Sequence, residues 1–195
     1  MPHAGHSLID ARGRKYLTME ERARFLAAAR RDARPSVQTF ALTLAHTGCR
    51  ISEALALRAC DVDIDTAEIR FRTLKRRREH WRAVPVPEDL VRELDLVHRL
   101  RHAQSIPRRA ETLLWPFSRT AATRHVWALM AVARIEGPQA SPKGLRHAYG
   151  VAAVTAGVPL PTVAAVLGHA DLTTTAIYTT AIGSEARDLV ARMWA

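Results

Sequence analysis

The chain has 195 residues, and its 29 Lys and Arg residues against 19 Asp and Glu residues give a formal net charge of +10. This length, with 48% hydrophobic and 25% charged residues, predicts one globular domain and excludes a disordered or fibrous chain. The sequence has no run of about 18 apolar residues, no secretory leader and only two cysteines, so we expect a cytoplasmic protein without a membrane-spanning segment or a disulfide framework.

The first third of the chain is predicted to be helical after a flexible lead-in over residues 1–15. Residues Thr18–Glu21 have the sequence of a capping box, which predicts a helix N-terminus. Pro35 predicts the start of a second helix that ends at Gly48. Ser52 is a candidate N-cap for a short third helix.

Apolar and polar residues then alternate near residues 62–64, 69–71 and 84–86. This period of two predicts three short antiparallel strands with an arginine-rich turn between the last two. The predicted fold class is therefore mainly α with a small three-stranded antiparallel β-sheet. Helical periodicity predicts the later helices over 87–100, 119–134, 142–156, 160–167 and 171–181, and an amphipathic end over 184–194.

Positive charge is concentrated between residues 70 and 82, where Glu79 is the single acidic residue. The basic residues are Arg70, Arg72, Lys75, Arg76, Arg77, Arg78 and Arg82. A solvated surface mixes both signs of charge, so a segment this basic indicates phosphate contacts. We therefore predict that its six arginines contact double-stranded DNA. The alternative is an arginine-rich composition without that role.

Residues typical of a phosphodiester site occur at three further places. Arg50 lies between a helix end and a helix start, Lys143 and Arg146 are three residues apart on one predicted helix face, and Tyr178 follows His169 by nine residues. Each has an ordinary structural explanation when taken alone. With the lysine of the basic segment, the full set is Arg50, Lys75, Lys143, Arg146, His169 and Tyr178. These residue types can act on a phosphodiester without carboxylate metal ligands, so we expect neither a metal nor another cofactor.

At these positions the sequence resembles the tyrosine recombinase, or phage integrase, family. The similar segments are TGCRISEAL at 47–55 for the first arginine box, KGLRH at 143–147 for the second, and LGHA at 167–170 with IYT at 177–179 for the third. Lys143 stands where the family more often has histidine. The resemblance covers nearly all of the chain from Tyr16 onward.

The resemblance implies a domain organisation. Residues 16–182 are expected to form the catalytic domain, and residues 183–195 a C-terminal helix that protomers of a DNA-bound tetramer can exchange. Family members typically carry a helical DNA-binding domain before the catalytic one, and here only the lead-in precedes it.

The resemblance also implies the chemistry. Tyr178 attacks a DNA phosphate, which gives a 3′-phosphotyrosine and a free 5′-hydroxyl. Arg50 and Arg146 bind the non-bridging oxygens, where negative charge develops, and His169 adds a hydrogen bond.

The proton transfers are implied in the same way. Lys75 protonates the leaving 5′-oxygen, and Lys143 helps to take or hold the proton of the tyrosine. Glu53, one turn after Arg50, orients that arginine.

The expected function is site-specific DNA recombination, by integration, excision or inversion, in a mobile genetic element. The expected partners are DNA, further copies of the chain and accessory DNA-bending proteins in the nucleoid. Two alternatives remain open at this point: a type IB topoisomerase-like activity, and a catalytically weak DNA-binding accessory or regulatory protein.

Overall fold

The structure is a computed structural model that describes residues 8–10, 13–72, 81–169 and 173–179. Its helices are α1 (Met19–Arg30), α2 (Pro35–Thr47), α3 (Ile51–Ala54), α4 (Glu88–His98), α5 (Leu100–Gln104), α6 (Pro107–Ala110), α7 (Arg119–Val132), α8 (Pro142–Thr155), α9 (Leu160–Leu167) and α10 (Thr173–Ala176). Its strands are β1 (Ile9–Asp10), β2 (Gly13–Arg14), β3 (Val62–Asp63), β4 (Glu68–Arg72) and β5 (Trp81–Pro85). The prediction of a mainly α fold with a three-stranded antiparallel sheet is confirmed. Within the described ranges, every helix is too short or too polar to cross a membrane.

Helix α2 is the central element of the fold. Phe40, Ala41 and Leu42 are all buried, although successive residues of a helix point in different directions around its axis. A helix that is apolar on all sides must be surrounded by other elements. Helices α1, α4, α7 and α8 pack around it, so α2 holds the first half of the chain against the second.

Gly48 ends α2 in the left-handed conformation, with φ of +60°. A β-carbon at this position would lie 2.8 Å from side-chain atoms of Leu167 and Tyr149. Glycine is therefore required both by the backbone conformation and by the space. The close approach brings the end of α2 against α8 and the last turn of α9.

The sheet has the strand order β3-β4-β5 and presents one face to the core. Phe71 and Val84 are buried, and Arg82, directly opposite Phe71, shares the buried face. Arg70 and Arg72 point to the exposed face, as strand alternation requires. Arg82 therefore lies inside the protein, whereas Arg70 and Arg72 lie at its surface.

Three predicted helix boundaries are wrong, and one of them is the end of the helix predicted over 171–181, since α10 ends at Ala176. The N-cap of α3 is Arg50 rather than Ser52, because the carboxylate of Glu53 accepts a hydrogen bond from the backbone N–H of Arg50. The predicted helix over 87–100 is interrupted at Arg99, which has φ of +53°. The carboxylate of Asp95 accepts a hydrogen bond from the backbone N–H of Arg101, and α5 begins after the break, at Leu100.

The segment before α1 is folded where the structure describes it, which differs from the predicted flexible lead-in. Strands β1 and β2 pair antiparallel, and the backbone N–H of Lys15 donates to the carbonyl of Leu8 at 2.8 Å. The side chain of Leu8 is only 1% exposed. It belongs to a second hydrophobic cluster, separate from the main core, formed by Leu8, Val151, Val154, Val163, Leu167 and Tyr178. Two adjacent apolar residues, Leu8 and Ile9, in a polar segment carry no periodicity that would predict this burial.

Leu8→Ala is expected to lower the free energy of unfolding by about 2 kcal/mol or more, because it leaves a cavity in the second hydrophobic cluster. The control is Ile9→Ala, which removes a neighbouring side chain that is 55% exposed and is expected to change stability by less than about 0.5 kcal/mol. Urea denaturation of both variants measures the difference. Equal, small effects would show that Leu8 contributes nothing to the cluster.

Candidate active site

Glu53 is the centre of the candidate site, and its side chain is only 1% exposed. Its Oε1 accepts from Nη1 of Arg50 at 2.9 Å, and its Oε2 accepts from Nη2 of Arg82 at 2.7 Å. Burial opposes ionisation of this carboxyl, but hydrogen bonds and charges from Arg82 and Arg50 outweigh burial and lower the pKa of Glu53. Glu53 is therefore an anion that holds two guanidinium groups in place.

Arg82 has an internal role, which corrects the prediction that it contacts DNA. Its side chain is 5% exposed. Besides the ion pair with Glu53, its Nε donates to the carbonyl of Val166 at 2.7 Å, and its guanidinium lies over the ring of Phe71. A guanidinium held on all these sides is not presented to an outside phosphate.

Arg146 is buried in α8 and bridges two helix ends. Its Nη1 donates to the carbonyl of Gly48 at 2.8 Å, and its Nη2 donates to the carbonyl of Leu167 at 2.7 Å. Burial, and next the charge of Arg50, lower the pKa of Arg146 to about 10, so it is still a cation at neutral pH. Because the last carbonyls of a helix lack partners within the helix and carry negative partial charge, Arg82 and Arg146 together cap the end of α9.

Tyr178 is fully buried against α8. Its ring lies so close to Gly150 that a β-carbon there would be 2.5 Å from Cζ. The ring of His169 is stacked on the tyrosine, with an interplanar angle of 16° and a centroid distance of 6.3 Å. His169 is itself held by a contact of 2.8 Å between its Nδ1 and Oγ1 of Thr175.

The hydroxyl of Tyr178 lies 3.3 Å from Nδ1 of His147, which is within hydrogen-bonding distance. Burial raises the pKa of Tyr178, while the charges of Arg146 and Arg50 oppose that shift. The pKa of His147 and the pKa of His169 are both lowered to about 4, first by burial and then by nearby cations. Both imidazoles are therefore neutral at pH 7.

The structure brings together most of the site residues that the sequence predicted. Arg50, Glu53, Arg146, His169 and Tyr178 surround one point between α3, α8 and the end of α9. Lys143 lies exposed in the first turn of α8, and its charge acts on His147 one turn later.

The predicted DNA contacts divide into two groups. Arg70 and Arg72 lie on the exposed face of β4, where they line a cleft with Arg58 and Trp81 that reaches Glu53. Lys75, Arg76, Arg77 and Arg78 lie outside the described residues, as does the predicted helix over 183–195.

Sequence reasoning did not assign roles to His147 and Gly150. His147 lies four residues after Lys143, one turn further along α8, and this spacing places both side chains on one helix face. Gly150 follows three residues later on the same helix. A glycine within a helical pattern costs stability unless something approaches it closely, and here the ring of Tyr178 does.

The site is chemically suited to bind an anion beside a tyrosine hydroxyl. The cluster contains three guanidinium groups, those of Arg50, Arg82 and Arg146, and the carboxylate of Glu53 offsets only one of these positive charges. Across the part of the chain that the structure describes, no group of three or more His, Cys, Asp or Glu side chains is placed to hold a metal ion.

These features define a cluster with excess positive charge next to a buried tyrosine in a helical domain. The chain belongs to the phage integrase family, that of the tyrosine recombinases, which it matches over residues 15–183. It is 32% identical over 170 residues to tyrosine recombinase XerA of Thermococcus kodakarensis. The match covers 85% of this chain and 57% of that relative. The chain spans about three fifths of the length of such curated relatives.

Solved structures have the same fold. The crystal structure of XerA recombinase superposes with a TM-score of 0.74 at 26% identity, covering 91% of this chain and 64% of that one. The XerH site-specific recombinase bound to its difH substrate, in a pre-cleavage complex, gives a TM-score of 0.69 at 21% identity, covering 84% of this chain and 50% of that one.

Glu53→Gln is expected to lower the free energy of unfolding by about 3 kcal/mol, because it leaves Arg82 buried without its counter-ion. The matched control is Glu20→Gln, which breaks the exposed pair with Arg24 and is expected to cost less than about 1 kcal/mol. Chemical denaturation of the two variants measures both effects. Equal costs would contradict the central position of Glu53.

The stability difference between the wild type and Glu53→Gln should also depend on pH. Since the pKa of Glu53 is lowered in the folded protein, its contribution is fully present above the ordinary carboxyl range and is lost as the pH falls through the lowered value. Denaturation curves at a series of acidic pH values should show that the difference in the free energy of unfolding between the two proteins becomes smaller only below the ordinary carboxyl range.

Proposed function

We propose that this chain is the catalytic domain of a site-specific DNA recombinase, with residues 16–182 as the domain, which cuts and rejoins strands through a 3′-phosphotyrosine. One arrangement carries the proposal: Tyr178 packs against Gly150 of α8, the helix that also holds Arg146, and the charges of Arg146 and Arg50 both act on its hydroxyl. A phosphate bound by these two arginines would be next to a nucleophile. Family membership and the net charge of +10 agree with DNA as the substrate.

The two arginines would act on the phosphate through electrostatic stabilisation. The charge of Arg50 already lowers the pKa of Arg146, so the two cations repel each other and a bound anion would relieve the repulsion. Both are held before substrate arrives, Arg50 by Glu53 and Arg146 by two backbone carbonyls. Donors fixed in this way need no reorganisation as charge develops in the transition state.

Cleavage requires a step that uncovers the tyrosine. Tyr178 is fully buried, and its oxygen must come within bonding distance of phosphorus.

In the proposed reaction, DNA lies along the exposed face of β4, with Arg70 and Arg72 on its backbone and Arg76, Arg77 and Arg78 as further contacts. Lys75 would protonate the leaving 5′-oxygen.

The active assembly would be a homotetramer on DNA. The solved XerH complex with difH substrate supports DNA as the partner. Residues 183–195 would pass to a neighbouring protomer, and accessory DNA-bending proteins in the nucleoid would favour one outcome among integration, excision and inversion.

Tyr178→Phe is expected to abolish covalent adduct formation on a nicked suicide substrate, because the phenol oxygen is the nucleophile. DNA affinity should be nearly unchanged, since phosphate contacts dominate binding. Tyr149→Phe is the matched control: it removes the hydroxyl of a half-buried tyrosine on α8 and should leave the adduct yield as in the wild type. Denaturing gel electrophoresis measures the adduct.

The same assay tests for a metal. Adduct formation should persist in EDTA. An adduct in the Tyr178→Phe variant, or a loss in EDTA that magnesium restores, would contradict the proposed reaction.

A further inference from the structure

The hydroxyl of Tyr178 must lose its proton during attack, and the structure points to the group that receives it. Nδ1 of His147 lies 3.3 Å from this hydroxyl. Both side chains are buried, so water has little access to the pair. The ring centroids are 5.9 Å apart and the planes are tilted by 59°, which leaves the edge of the imidazole facing the phenol oxygen.

Other side chains around the tyrosine are less suited to accept the proton. His169 is stacked on the ring, and its Nδ1 is engaged by Oγ1 of Thr175. Arg146 has donors and no acceptor, and so does an exposed lysine ammonium such as that of Lys143.

The surroundings of His147 keep it ready to accept. Burial lowers the pKa of His147 most, and the charges of Lys143 and Arg146 on α8 and of Lys15 before α1 lower it further, to about 4. The other titratable rings that face it are those of Tyr178 and His169. The imidazole is therefore neutral at pH 7, and a phosphodiester anion bound at Arg146 would raise its proton affinity.

We propose that His147 is a catalytic residue, and that its Nδ1 accepts the proton of the Tyr178 hydroxyl as that oxygen attacks phosphorus. This assignment rests on the proposed recombinase function, and it replaces the role in holding the tyrosine proton that the family resemblance implies for Lys143. Lys143 acts instead through its charge, one turn earlier on α8.

The O–H bond of Tyr178 breaks and its proton passes to Nδ1 of His147, while the phenol oxygen forms a bond to phosphorus. The bond from phosphorus to the 5′-oxygen breaks, and that oxygen takes a proton from the general acid, for which the sequence predicts Lys75. Religation runs the same transfers in reverse.

The test is the pH dependence of single-turnover cleavage of the suicide substrate by the full chain. The wild-type rate should be nearly level between about pH 6 and 8, because a neutral imidazole is present throughout. His147→Ala should be slower at pH 7 by about 100-fold or more. Its rate should then rise about tenfold per pH unit, since the phenolate fraction does so below the pKa of the tyrosine.

Two further variants separate proton transfer from structure. His147→Asn keeps a hydrogen-bonding group near the hydroxyl but cannot take up a proton, so it should show the same slope as His147→Ala. His98→Ala is the control, because it removes a half-buried imidazole whose pKa is also about 4. The His98 ring contacts Thr39 and Trp115 and does not contact Tyr178. This variant should keep the level profile of the wild type.

A substrate with a 5′-sulfur leaving group provides the contrast with the general acid. Sulfur leaves without protonation, so this substrate should restore cleavage by Lys75→Ala and should not restore cleavage by His147→Ala. Rescue of the His147 variant would identify it as the acid and overturn the assignment.

A second readout needs no DNA. Nitrogen-15 NMR of histidine-labelled protein should show Nδ1 of His147 without a proton and Nε2 with one. A proton on Nδ1 would make His147 the donor in the resting protein, and would overturn the assignment.

The remaining outcomes separate the two proposals. A level profile in His147→Asn, or a steep profile in Lys143→Ala alone, together with normal adduct formation by the wild type, would contradict only the assignment to His147. Absence of any wild-type adduct at every pH would contradict the recombinase function and the assignment with it.

Discussion

The buried ion pair between Glu53 and Arg82 connects parts of the chain that are far apart in sequence. Glu53 belongs to the short helix α3, while Arg82 comes from β5 and also donates to the last turn of α9. Arg146 makes the second connection, from α8 to the carbonyls of Gly48 and Leu167. Removal of one member leaves the others as uncompensated buried charges. The geometry of the site is therefore fixed by the same interactions that hold the helices together.

The charge imbalance of this cluster connects the fold to the chemistry. One carboxylate is sufficient to orient the arginines and insufficient to neutralise them. The remaining positive potential lies beside the hydroxyl of Tyr178, whose ring has its place because Gly150 carries no side chain. Nδ1 of the His147 imidazole lies 3.3 Å from that hydroxyl. In the proposed reaction, α3, α8 and the segment after α9 would supply the anion-binding arginines, the nucleophile and the proton acceptor.

The sequence predicted the parts of this arrangement that have local signatures. The capping box of α1, the end of α2 at Gly48 and the alternation of the three strands were readable because each depends on neighbouring residues. The inward direction of Arg82 could also have been predicted, because Arg82 and Val84 are two residues apart on one strand and therefore lie on the same face of the sheet. The basic residues around Arg82 favoured a surface role instead. The burial of Leu8 was not readable, because it depends on contacts with residues distant in sequence. The break at Arg99 was not readable either, because the apolar stripe of the predicted helix continues past it to Leu100. His147 lies in the second arginine box and one helical turn after Lys143, but neither feature indicates a contact with Tyr178. That contact is shown only by the distance of 3.3 Å between Nδ1 of His147 and the tyrosine hydroxyl.

The central claim is that the arginine cluster presents Tyr178, among the three tyrosines of the chain, to a DNA phosphate. Protease digestion of the covalent protein–DNA adduct, followed by mass spectrometry of the nucleotide-bearing peptide, tests this claim most directly. The account predicts that the 3′-phosphate is attached to Tyr178 alone. Attachment to Tyr16, to Tyr149 or to a residue other than tyrosine would contradict it.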